Sequence, residues 1–130
     1  MTYENVLTAH EALGNLTAKR FTSFRVARQL VALRKKIDEE FDFYASEEKK
    51  LLDLHAKKNK DGDLMITEEN RIQLKDEASA KAFLQKITEV RNSPVEGIEP
   101  VKLCEGDFCE AQTLPTPDEM IALEGFVEFE

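Results

Sequence analysis

Residues 23–57, SFRVARQLVALRKKIDEEFDFYASEEKKLLDLHAK, contain neither glycine nor proline. Val26, Leu30, Leu33, Ile37, Phe41, Tyr44, Leu51 and His55 recur there at steps of three, four or seven. That spacing puts them on one apolar stripe of one helix. Thr22 or Ser23 can cap its start. With a rise of about 1.5 Å per residue, such a helix would be more than roughly 50 Å long. A helix of that length must project or pair with another helix. Glu40 and Glu48 interrupt the stripe, so a regular coiled coil is not expected.

Shorter elements flank it. Tyr3, Val6, His10 and Leu13 follow helical spacing, and Gly14 reads as a C-terminal stop. Asp61-Gly62 marks a turn, after which Leu64-Met65-Ile66-Thr67 and Arg71-Ile72-Gln73-Leu74 read as two strands of an antiparallel β-hairpin. Asp76 can cap a third helix over Glu77–Arg91, with Ala80, Phe83, Leu84, Ile87 and Val90 as its buried face; Asn92-Ser93-Pro94 ends it. Val101 and Leu103 alternate in an extended piece. Thr116-Pro117-Asp118-Glu119 is a capping box with proline at the first helical position. Gly125 limits that helix, and Phe126, Val127 and Phe129 read as a closing strand. No internal repeat is evident.

The expected fold is therefore α+β: a long amphipathic helix, two or three shorter helices and a small antiparallel β-hairpin or sheet. A chain of 130 residues with 42% apolar content suits one domain. Residues 1–57 would form a helical arm, and residues 58–130 the hairpin, a helix and an acidic C-terminal region. No apolar run approaches the roughly 18 residues of a membrane span. The opening MTYENVLTAH lacks a signal pattern, so the expected location is the cytoplasm, with a virion as the alternative.

Charge is unevenly spread. The net charge is −8, but residues 1–37 carry +5, residues 38–94 carry −4 and residues 95–130 carry −9. Net negative charge aids solubility; the sharper reading is a basic helix at one pole and an acidic surface at the other. Arg25, Arg28, Lys35 and Lys36 lie opposite the apolar stripe, and such a face could hold phosphates. Phe21 and Phe24, with Val31, are expected to seat the first helix instead, so nucleic-acid binding is not the favoured reading. Phe43 falls on the polar side of the long helix, where it is either covered or offered to a partner.

Catalysis has no visible support. There is no Gly-rich phosphate loop, no G-x-S-x-G and no H-E-x-x-H. His10 and His55 belong to apolar stripes. Cys104 and Cys109 cannot complete a zinc site alone, and reduced thiols are the default in cytoplasm. Residues 57–68 imitate a calcium loop, with Asn59, Asp61, Gly62 and Glu68 at offsets 3, 5, 6 and 12. Lys57, however, stands at the first ligand position, where a carboxylate is needed. The chain is therefore expected to be a non-enzyme without metal or cofactor.

Three stretches resemble a family of small uncharacterised proteins from phages and prophages of Gram-positive bacteria. They are EALGNLTAKRF with RVARQLVALRKKIDEEFDFYASEEKKLL, then KDGDLMITEENRIQL with the following helix, then VEGIEPVKL with TPDEMIALEGFVEF. The resemblance implies a phage accessory protein and carries over no catalytic or ligand residue. The expectation is a binder of another macromolecule, foremost an inhibitor of a host defence or nucleic-acid-processing protein whose acidic region imitates nucleic-acid charge. The alternatives are a virion or assembly component that oligomerises through the long helix, and a nucleotide or nucleic-acid binder. The expected partner-binding residues are Phe43, Tyr44, Leu51 and Leu52. An antiparallel homodimer would cover Tyr44, Leu51, Leu52 and His55 and set basic residues 19–36 against acidic residues 38–48.

Overall fold

A computed structural model of the chain describes residues 1–110 and 113–130. The element order is α1 (Tyr3–Thr17), α2 (Phe24–His55), α3 (Glu77–Arg91), β1 (Val101–Leu103), a 3₁₀ turn (Glu105–Asp107), α4 (Pro117–Ala122) and β2 (Val127–Phe129). The chain forms two compact units: Met1–Asp42 with Pro94–Glu130, and Phe43–Ser93. The stretch without glycine or proline is a single 32-residue helix, α2, which runs through both.

The first unit holds most of the fully buried side chains. Val6, Ala9, Leu13 and Leu16 of α1 are buried, as are Val26, Leu30, Leu33 and Ile37 of α2. α1 does not stop at Gly14 but continues to Thr17. One more turn buries Leu16, and the Thr17 hydroxyl donates to the Gly14 carbonyl. That burial outweighs the preference of glycine for a helix end.

β1 and β2 pair in parallel, with Val101 opposite Val127 and Leu103 opposite Phe129. Val101, Leu103 and Val127 face inward, while Lys102 and Glu128 face outward. Parallel strands need a crossover rather than a tight turn, and α4 lies in that crossover. Thr116 caps α4 reciprocally: its hydroxyl accepts from the Glu119 N–H at 3.2 Å, and the Glu119 carboxylate accepts from the Thr116 N–H at 3.1 Å. α4 packs on α1.

In the second unit, Asp76 caps α3 by accepting from the Ser79 N–H at 2.7 Å. The expected antiparallel hairpin between α2 and α3 is not formed. Among the described residues the only sheet is the parallel β1–β2 pair. Three segments, not two, meet here. Ala56 bridges Leu74, Lys58 bridges Leu64, and Ile66 bridges Ile72, each as a single antiparallel bridge.

The hydrogen bonds close a cycle. The Lys57 N–H donates to the Gln73 carbonyl, Gln73 to Met65, and Met65 to Lys57. A second set follows the same order: Asn59 donates to Asp63, Thr67 to Arg71, and Lys75 to His55. The donors step by eight residues from one link to the next, and the last link returns to the first segment. The two turns repeat as well, with Gly62 and Asn70 both at positive φ. Each segment divides its pairing between two neighbours, so no pair builds a ladder. The chain thus holds an eight-residue structural repeat that its side-chain types do not announce.

Candidate functional site

The second unit is thinly cored. Of its 51 residues only Tyr44, Ala56 and Ile87 are fully buried hydrophobics. Phe43, Leu54, Ile66, Ile72 and Leu84 are all exposed. Leu84, expected on the buried face of α3, is 63% exposed; Ile87 is the residue that face buries, with Ala80, Phe83 and Val90 half-buried.

Two apolar surfaces result. Leu52, Ile72, Leu74, Phe83 and Ile87 line an open groove of about 400 Å³ whose rim carries Glu48, Asn70, Arg71 and Arg91. α2 offers the other: Phe43 and Leu54 are eleven residues apart, which is within about 20° of one helical face. They are 51% and 65% exposed. They stand about 16 Å apart along the helix, with the Glu47–Lys50 ion pair between them, as two separate apolar points on one face.

The four expected partner-binding residues divide between these surroundings. Phe43 is outward and Leu52 lines the groove. Leu51 is half-buried. Tyr44 is buried, and its hydroxyl accepts from the Arg91 Nε at 2.9 Å. Burial pushes the Tyr44 phenol pKa up, against the lowering influence of the Arg91 guanidinium. Tyr44 thus anchors α3 to α2 within the unit. Ile72 and Leu74 reach the groove through the three-segment cycle, and Phe83 reaches it from α3.

The basic residues of α2, Arg25, Arg28, Lys35 and Lys36, belong to the first unit. The Lys36 ammonium is 3.0 Å from the Glu40 carboxylate. Arg28 lies over the ring of Phe24, 6.0 Å from its centroid. Arg25 and Lys35 are exposed. Phe24 and Val31 do not seat α1 as expected; they are 78% and 52% exposed. The helix turns Val26, Leu30 and Leu33 inward, so residues 24, 28, 31 and 35 must point away. Phe21 packs against Phe108, with ring centroids 5.1 Å apart.

The remaining polar groups are engaged locally. His10 stacks on Phe41 at 3.8 Å, and its Nε2 lies 3.3 Å from Asp38. The Asn59 carboxamide oxygen accepts from the N–H groups of Asp61 and Asp63, which occupies a ligand position of the calcium-like loop. Cys104 and Cys109 are not disulfide-bonded. Among the described residues, no three His, Cys, Asp or Glu side chains cluster as metal ligands, and no helix is long and apolar enough to cross a membrane.

No curated protein and no solved structure matches the chain. The family model described as "Protein of unknown function (DUF1617)" matches residues 7–106. That span takes in most of α1, all of α2, the three-segment cycle, α3 and β1, and the chain belongs to the DUF1617 family.

Proposed function

We propose that this protein acts by binding another protein, with the Phe43–Ser93 unit as its docking body. The observation that carries this reading is the number of large apolar side chains that this small unit leaves at its surface. A docked partner segment would cover the groove of Leu52, Ile72, Leu74, Phe83 and Ile87, and the Phe43–Leu54 face of α2. The Arg71 guanidinium at the groove favours a segment that carries a carboxylate beside its apolar residues.

The biological setting follows from the sequence resemblance: a non-enzymatic phage-type accessory protein. Its target would be a host defence or nucleic-acid-processing protein. Exposed Glu96, Glu99, Glu105 and Glu110 support that target class, because they could oppose a basic nucleic-acid-binding surface. Nucleic acid itself is a poorer ligand. Phe24 and Val31 interrupt the basic residues of α2, and Lys36 is paired with Glu40.

Affinity capture from a bacterial host tests this. The wild type is expected to retain a partner that the double variant Phe43→Asp, Leu54→Asp loses, while its helix content by circular dichroism is unchanged. Identical captured material for wild type and variant would remove the proposal.

A further inference from the structure

The first unit carries two exposed patches that match each other in chemistry. One is the outward face of α2. Phe24, Arg28, Val31 and Lys35 fall within about 60° of one another on the helical wheel. With Ala27 and Ala32 they line a shallow depression of about 360 Å³. The other is the segment around α4. Leu114, Met120 and Ile121 are exposed there, Ile121 to 69%, and Asp118 and Glu124 flank them. One patch is apolar and cationic, the other apolar and anionic.

Among the described residues, neither patch finds its charge partners. Arg34, which shares the helix, lies against Asp38, and Lys36 is paired with Glu40. Arg28 and Lys35 make no ion pair among the described residues, and neither do Asp118 and Glu124. One end of each patch comes near a shared groove. Leu114 and Thr22 line the same open groove, and Thr22 stands two residues before Phe24. α4 is nevertheless held against α1 and leaves Phe24 and Val31 exposed.

We propose that the chain self-associates by exchanging these patches, the acidic α4 segment of each copy docking on the Phe24–Lys35 face of the other. Two complementary patches on the same unit can be satisfied twice over by one twofold axis. Ile121 and Met120 would enter the depression between Phe24 and Val31. Asp118 and Glu124 would meet Arg28 and Lys35. Two copies that each carry −8 repel in most orientations, and this pairing offers opposite charges at the contact. The interface uses the first unit alone and is independent of the docking proposed for the second.

Charge exchange, read by sedimentation velocity on the full chain, tests it. The wild type is expected to show a concentration-dependent monomer–dimer equilibrium, with dimer substantially populated at about 100 μM. Arg28→Glu with Lys35→Glu should weaken association by about tenfold or more. Asp118→Lys with Glu124→Lys should do the same. All four changes in one chain should restore it. Asp118 and Glu124 are chosen because Glu119 is needed for the α4 cap. If a charge variant loses its helix signal, Val31→Ser and Ile121→Ser, both at exposed positions, should each weaken association. A strictly monomeric wild type at that concentration overturns the proposal. So does a dimer that tolerates either pair of charge changes, or the serine variants, or a four-change chain that stays monomeric.

Discussion

Among single residues, Glu40 shows how a carboxylate can interrupt an apolar stripe without breaking the helix. Its carboxylate accepts from the Tyr3 hydroxyl at 2.6 Å and from the Lys36 ammonium at 3.0 Å. The Tyr3 hydrogen bond is the main cause that holds its pKa below the ordinary value of 4.5, assisted by Lys36 and opposed by burial. A lowered folded-state pKa means that the fold favours the ionised form. The resulting stabilisation is complete above the ordinary pKa and is lost as the pH falls through the lowered folded value. Tyr3→Phe should therefore lower stability by about 1–2 kcal/mol at neutral pH and flatten the loss of stability on acidification below about pH 4.5. Thermal melts of both proteins at neutral and acidic pH would measure this. Equal acid sensitivity would mean that Tyr3 is not what holds the Glu40 charge.

At the scale of elements, α2 divides its residues sharply between a core face and an outer face. Leu33→Ala should cost about 2–5 kcal/mol, as a buried leucine does, and Ile37→Ala should be comparable. Val31→Ala, two residues away, should change stability by less than about 0.5 kcal/mol. Urea midpoints would compare them. α1 offers a change of opposite sign. Gly14 sits inside the helix at an ordinary φ, and an added Cβ would meet nothing within 4 Å. Gly14→Ala should stabilise by about 0.5–1 kcal/mol. Gly125→Ala should destabilise, because its φ is +85° and the new Cβ would run into the Met1 side chain. The helix starts were legible in sequence wherever one side chain makes the decision locally: Asp76 for α3, Thr116 with Pro117 for α4. The end of α1 was not, because Gly14 signals a stop that burial of Leu16 overrides. The three-segment cycle was not legible either. Ala56, Leu64 and Ile72 begin their segments with unlike neighbours, and only backbone hydrogen bonds reveal their equivalence. For the candidate site, Phe43 and Leu52 were readable from the wheel of α2 and Phe83 from that of α3, whereas Ile72 and Leu74 reach the groove only through that cycle.

For the molecule as a whole, buried area is concentrated in the first unit, so local stability should be as well. Hydrogen exchange followed by mass spectrometry should find amides of residues 56–91 less protected than those of α1 and the first half of α2. Addition of the cognate protein partner should slow exchange in residues 43–93 above all. Uniform protection before any partner is added would show that the second unit needs no cover. Mobility-shift assays with DNA and RNA should give no complex at sub-micromolar protein and physiological salt. Residues 19–37 are the only strongly basic stretch, and it is interleaved with apolar side chains rather than continuous. Steep, salt-dependent binding would place phosphates on that face after all.

The cycle of three segments also bears on the exposure of strand edges to other chains. A row of strands has a first and a last member, and each presents unsatisfied backbone groups to another chain. A cycle has neither. Leu64-Met65-Ile66-Thr67 is uncharged, rich in β-branched and long apolar side chains, and free of proline, which is the composition that stacks into cross-β structure. Here it is supplied with a neighbour on both sides by its own chain. Many proteins guard such a segment with charges along an open edge; this one does so by closure, and a change that forces the Gly62 or Asn70 turn open would expose a template for aggregation.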